Sequence, residues 1–140
     1  MAQSQVILYS QGDLLKGSIS LRSNDACTPG KQNPYAIPAG AVVKMLFPGT
    51  SSSVTIDSST SVAPEFGGGT EITITDQNDG DFDFIVIPTK GAGIALSAIK
   101  SGVPQAQAID IVILDSMGAQ LQTFEILPPS GIVCTKRANP

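Results

Sequence analysis

The chain has 140 residues, enough for one domain with a core of its own, and 41% of them are hydrophobic against 14% charged, which excludes the composition of a disordered chain. The net charge is −4 and the sole adjacent basic pair is Lys136-Arg137, so there is no electrostatic footprint for a nucleic acid. The absence of histidine removes Ser–His and Cys–His nucleophile pairs and His-based proton transfer.

The opening MAQSQVILYSQGD has neither a basic n-region nor a long apolar h-region, and no apolar run nears the ~20 residues of a membrane helix. Synthesis in a cytoplasm without a signal peptide or membrane anchor is expected. Within the opening, Gln5–Tyr9 (QVILY) reads as a short apolar strand. Residues 14–22 (LLKGSISLR) alternate, with Leu15, Gly17, Ile19 and Leu21 on one face, the period of a half-buried strand. Residues 23–40, with three prolines and two glycines, read as a long loop. Loops of that length often carry function, and Tyr35, Ile37 and Pro38 within it, with Tyr9 before it, are the candidate partner contacts.

Residues 41–47 (AVVKMLF) form the next strand and Pro48-Gly49 ends it. SSSVTIDSSTSVAP gives one or two Ser-rich edge strands of weak register. Gly67-Gly68-Gly69 lacks the Lys-Ser/Thr of a phosphate loop and reads as a turn. EITIT, with Ile72 and Ile74 inward, and DFDFIVI, with Phe82, Phe84 and Val86 on one face, flank DQNDG as a hairpin. Pro88 stops the second strand, and residues 91–102 fit a short helix with Ile94, Ala95, Ala98 and Ile99 on one stripe and Gly102 near its C-cap. AIDIVIL and AQLQTFEIL are strands joined by Asp115-Ser116-Met117-Gly118, Pro128-Pro129 follows, and Ile132–Thr135 is a last strand.

The pattern predicts an all-β, antiparallel sandwich of about seven to nine strands with one short helical crossover. It forms one domain over 1–140, with 1–4 and 136–140 as flexible tails. Weakly charged surfaces rich in Val, Ile and Thr point to a homo-oligomer or multi-copy assembly.

Little in the chain points to catalysis. Asp76, Asn78, Asp79, Asp81 and Asp83 form the densest acidic cluster, but compared with a calcium loop the glycine falls one place early and Ile87 stands where the bidentate Glu belongs. The reading taken is a solvated turn. Cys27 and Cys134 read as two free thiols; with no histidine they do not make an ordinary zinc site. Ser–Lys chemistry at Lys44, Lys90 or Lys100, and carboxylate pairs drawn from Glu71, Asp110, Asp115 and Glu125, have no spacing that brings them together. No catalytic residue, cofactor, metal or small-molecule substrate is expected.

DFDFIVIP, TKGAGIALSAIKSG, AIDIVILD and SMGAQLQTFEIL, together with PYAIPAGAVVKMLFPG, resemble the immunoglobulin-like domains of phage tail and baseplate proteins, such as the N-terminal domain of baseplate upper proteins. The resemblance covers residues 34–49 and 81–127. It implies a structural protein of the virion, a tail, baseplate or collar adaptor or a fibre-attachment module, that docks onto other virion proteins and carries no catalytic residues. Capsid decoration, or a surface-displayed module for a carbohydrate or adhesin partner, are the alternatives. In that family the domain usually precedes a stalk and receptor-binding part; here the chain ends soon after the last clear strand, which favours docking.

Overall fold

The computed structural model describes residues 2–3, 6–10, 13–49, 52–94, 105–126 and 131–135, with side chains for 13–49, 52–94 and 108–126. The first sheet joins β1 (Ala2–Gln3), β12 (Gln120–Ile126), β11 (Ile109–Leu114), β6 (Val42–Phe47) and β7 (Val54–Asp57), in that spatial order. The second has the order β3 (Leu15–Ser20), β9 (Asp81–Val86), β8 (Ile72–Asp76). A further three-stranded sheet sets β13 (Gly131–Thr135) between β10 (Gln105–Gln107) and β2 (Val6–Ser10), and β4 (Arg22–Asn24) pairs with β5 (Gln32–Pro34).

Period-two alternation builds the core. Val43, Met45 and Phe47 of β6, Ile109, Ile111 and Ile113 of β11, and Phe124 and Ile126 of β12 are buried. So are Leu15 and Ile19 of β3, Ile72 of β8, and Phe82, Phe84 and Val86 of β9. Residues of both sheets belong to one apolar cluster, and the rings of Phe47 and Phe84, one from each sheet, lie 6.5 Å apart. Each such side chain withdraws about 1.5–3 kcal/mol worth of apolar surface from water. Gly17 makes this packing possible: a Cβ there would stand 2.6 Å from Phe84 Cζ.

The fold is all-β and mostly antiparallel, with two exceptions to the expected pattern. β1 runs parallel to β12, and β13 parallel to β2. Ala2–Gln3, expected in a flexible tail, is thus paired, whereas residues 136–140 lie outside the described residues. Thirteen strands are present among the described residues, more than the expected seven to nine, because several are only two or three residues long.

The expected 23–40 loop is partly folded. Asp25 N–H donates to Lys31 C=O at 2.9 Å and Lys31 N–H to Thr28 C=O at 3.2 Å, closing a β4–β5 hairpin. Of the expected helix 91–102 only residues 91–94 are described, and the helical turn that reaches them starts earlier. It is the single turn α1 (Pro88–Gly91), begun by the proline whose fixed φ suits a first helical position. Ile94 is buried and bridges Gly49 instead of lining a helical stripe; residues 95–102, which carry the rest of that expectation, lie outside the described residues.

The β8–β9 turn is locked to the rest of the chain. Leu21 N–H donates to Gly80 C=O at 2.9 Å and Tyr35 N–H to Leu21 C=O at 3.0 Å. Gly80 has φ +72°, and a Cβ there would meet Tyr35 O at 2.3 Å. Gly118, in the β11–β12 turn, has φ +89°, but a Cβ there would meet nothing within 4 Å. Gly80→Ala should therefore cost at least about 2 kcal/mol in urea unfolding, and Gly118→Ala only the left-handed penalty of about 1 kcal/mol. Equal losses would count against the packing account of Gly80.

Candidate functional site

Glu71 is the one buried charged residue among the described residues, 3% exposed. Its backbone stands between chain segments: Glu71 N–H donates to Thr60 C=O, and Ile85 N–H donates to Glu71 C=O, both at 2.9 Å. Its side chain reaches further. Lys90 Nζ, from α1, donates to Oε2 at 2.6 Å, and Asp57 N–H, at the end of β7, donates to Oε1 at 3.2 Å. Lys90 Nζ also donates to Thr55 C=O at 3.1 Å. A buried carboxylate is tolerated when its charge is paired and its oxygens are met, and here both oxygens are met.

Beside Glu71 lies a cavity of about 230 Å³, lined by Lys16, Phe66, Thr70, Thr73 and Asp83 among others. Gly67, Gly68 and Gly69, all at positive φ, bend the chain past it. Thr70 Oγ1 donates to Ile72 C=O at 2.8 Å, and Ser18 Oγ donates to Asp83 Oδ1 at 2.6 Å. The volume is below the ~300 Å³ at which pockets for drug-sized ligands begin. Of its two carboxylates, Glu71 has both oxygens engaged.

The acidic turn gathers less than its sequence offers. Carboxylate oxygens of Asp76, Asp79 and Asp81 lie within 4.8 Å of one another, an arrangement able to hold a cation. Asp83 points instead to Ser18. Asp76 Oδ1 accepts from Asp79 N–H at 3.1 Å, and Arg22 brings its own positive charge, donating to Asp79 C=O at 2.9 Å. Asp81 Oδ1 is a buried atom with no hydrogen-bond partner.

The expected partner contacts separate. Tyr35 is half-buried, its ring edge-on to Phe124 with centroids 5.0 Å apart, and burial raises its hydroxyl pKa above the usual tyrosine value. Ile37 is 2% exposed and belongs to the core, which corrects its expected place at a contact surface. The reason is local: Ile37 N–H donates to Gln77 C=O at 2.9 Å and Gln77 Nε2 donates to Ile37 C=O at 2.8 Å, fastening this segment to the β8–β9 turn. Pro38 is exposed. Tyr9 lies in β2, paired with Cys134 of β13; both side chains lie outside those described. Cys27 is an exposed free thiol.

Sequence reasoning missed the Glu71–Lys90 pair. In EITIT the alternation puts Glu71 with Thr73 and Thr75 on the solvent side, and only the arrival of β7 and α1 covers it. No protein-family model matches the chain, and no curated protein matches its sequence.

Two outcomes follow for stability. Lys90→Met leaves Glu71 buried without its counter-ion and should cost about 2 kcal/mol, more than the Glu71→Gln/Lys90→Met double change, in a denaturant double-mutant cycle. Asp57 supplies a pH dependence. Burial pushes its pKa up, but hydrogen bonds from Ser59 and Thr60 outweigh this and hold it below the ordinary carboxylate value. With the folded pKa depressed, the stabilisation is present above the unfolded value of about 3.9 and lost as pH falls through the folded one. Melting temperature should therefore drop in that acid range, and Asp57→Asn should flatten part of the drop.

Proposed function

We propose that this chain is a non-enzymatic, immunoglobulin-like docking module of a bacteriophage virion. The observation that carries the fold part of this reading is strand order. In immunoglobulin sandwiches strands B, E and D form one sheet and G, F and C the other, with C′ added beyond C in the variable type. β3-β9-β8 takes the order B-E-D, and β12-β11-β6-β7 takes the order G-F-C-C′. The hallmarks of antibody domains are replaced by apolar packing: β3 and β11 have no cysteine and β6 no tryptophan, and Ile19, Ile111 and Met45 are buried there.

The virion part rests on the resemblance in residues 34–49 and 81–127, an analogy at the level of family and fold. It is supported by surfaces suited to docking. The β4–β5 hairpin is exposed over most of its length, Pro38 is exposed beside it, and Met117, 90% exposed, tips the β11–β12 turn. These carry few charges to desolvate on contact. Partners of this kind are other virion structural proteins and further copies of the chain. In this reading a tail, baseplate or collar adaptor and a capsid decoration differ only in which neighbour the surfaces meet.

Mass spectrometry of gradient-purified virions of the encoding phage should find this chain at a fixed stoichiometry to the major capsid and tail proteins. Its consistent absence from intact, infectious particles would overturn the assignment.

A further inference from the structure

Among the described residues β7 ends the five-stranded sheet, and an end strand offers N–H and C=O groups that another chain can complete. Its two sides can be told apart. Ser58 N–H donates to Val43 C=O at 3.0 Å, toward β6, so even-numbered residues here turn their backbone groups to β6. Thr55 and Asp57, odd-numbered and two apart, turn theirs away from the sheet.

Those two outward residues are the ones that Glu71 and Lys90 reach. The carboxylate takes Asp57 N–H and the ammonium meets Thr55 C=O, while the two side chains are joined at 2.6 Å. One acceptor and one donor, held together, thus sit at residues i and i+2 of the strand. An added strand would engage the same two groups, through one of its residues if parallel and through two residues two apart if antiparallel. The ion pair fills the place of a strand with side chains.

We propose that the Glu71–Lys90 pair is an edge guard that keeps β7 of a second copy from adding to β7. A second copy fits as the occupant because identical edges close through a two-fold axis. A register centred on Ile56 sets Thr55 of each strand opposite Asp57 of the other, so outward groups meet outward groups and no like charges face each other. This inference is independent of the virion reading: it says which edge is kept closed, whatever the module docks to.

Analytical ultracentrifugation across a concentration series, with hydrogen exchange at the Asp57 amide, tests it. In the wild-type chain that amide should be protected at all concentrations. Glu71→Ala/Lys90→Ala removes both guards without stranding a charge; its amide should exchange faster when dilute and regain protection as self-association tightens at least about tenfold over wild type. Lys90→Met, which frees only Thr55 C=O, should tighten it less. A folded variant that associates no more than wild type, or a wild-type Asp57 amide with no protection, would overturn the proposal.

Discussion

The Glu71 carboxylate adds a polar tie between parts of the fold that the apolar core already brings together. Its backbone ties Thr60 to Ile85 of β9, and its side chain ties the end of β7 to the single turn α1. β7 belongs to one sheet and β9 to the other, so the interaction closes one flank between them. An apolar residue of similar size at 71 would avoid the cost of burying a charge, but it would leave Asp57 N–H and Thr55 C=O without these partners. With only 14% of its residues charged, the chain has few pairs to place, and this one is placed where backbone groups need it.

The opposite requirement, close apolar contact, is met in the centre. Phe84 packs toward β3 because Gly17 has no side chain, and the same ring faces Phe47 of the other sheet. From this centre the order passes outward through backbone bonds. Gly80 bonds Leu21, Leu21 bonds Tyr35, and Gln77 bonds Ile37 twice. The β8–β9 turn therefore fixes the departure of the exposed β4–β5 hairpin. A two-stranded ribbon of that size is marginal alone; its roots at Leu21 and Tyr35 hold it.

The alternating strands were legible because a two-residue period leaves a direct trace in sequence. Leu15, Ile19 and Leu21, or Phe82, Phe84 and Val86, show it. The Asp115–Gly118 turn was legible too: Asp115 Oδ1 accepts from Met117 N–H at 2.9 Å and Ala119 N–H at 2.8 Å, which is what a turn aspartate is for. Features set by distant segments left no such trace. Ile37 looked like loop surface because Gln77, forty residues on, is what buries its segment. Glu71 looked solvent-facing because the alternation of β8 does not register the later arrival of α1. The β4–β5 hairpin was hidden by prolines that mark a loop when read singly yet are tolerated at the ends of short strands.

Edges, more than pockets, distinguish the outside of this molecule. β7 is closed by the ion pair. β3 carries the exposed Lys16 near its start, and β8 has a register irregularity between Ile74 and Asp76; both features discourage strand addition. Three different devices thus act on three sheet ends among the described residues. Under the proposed multi-copy reading such protection has a use, since uncontrolled edge pairing would compete with side-chain contacts. In the proposed docking reading, attachment would fall to the β4–β5 hairpin and to the β11–β12 turn, where Met117 projects and neither lysine nor a carboxylate lies from 116 to 124. Contacts made there are specified by side chains, not by the generic backbone of a sheet edge, and so can distinguish one neighbour from another.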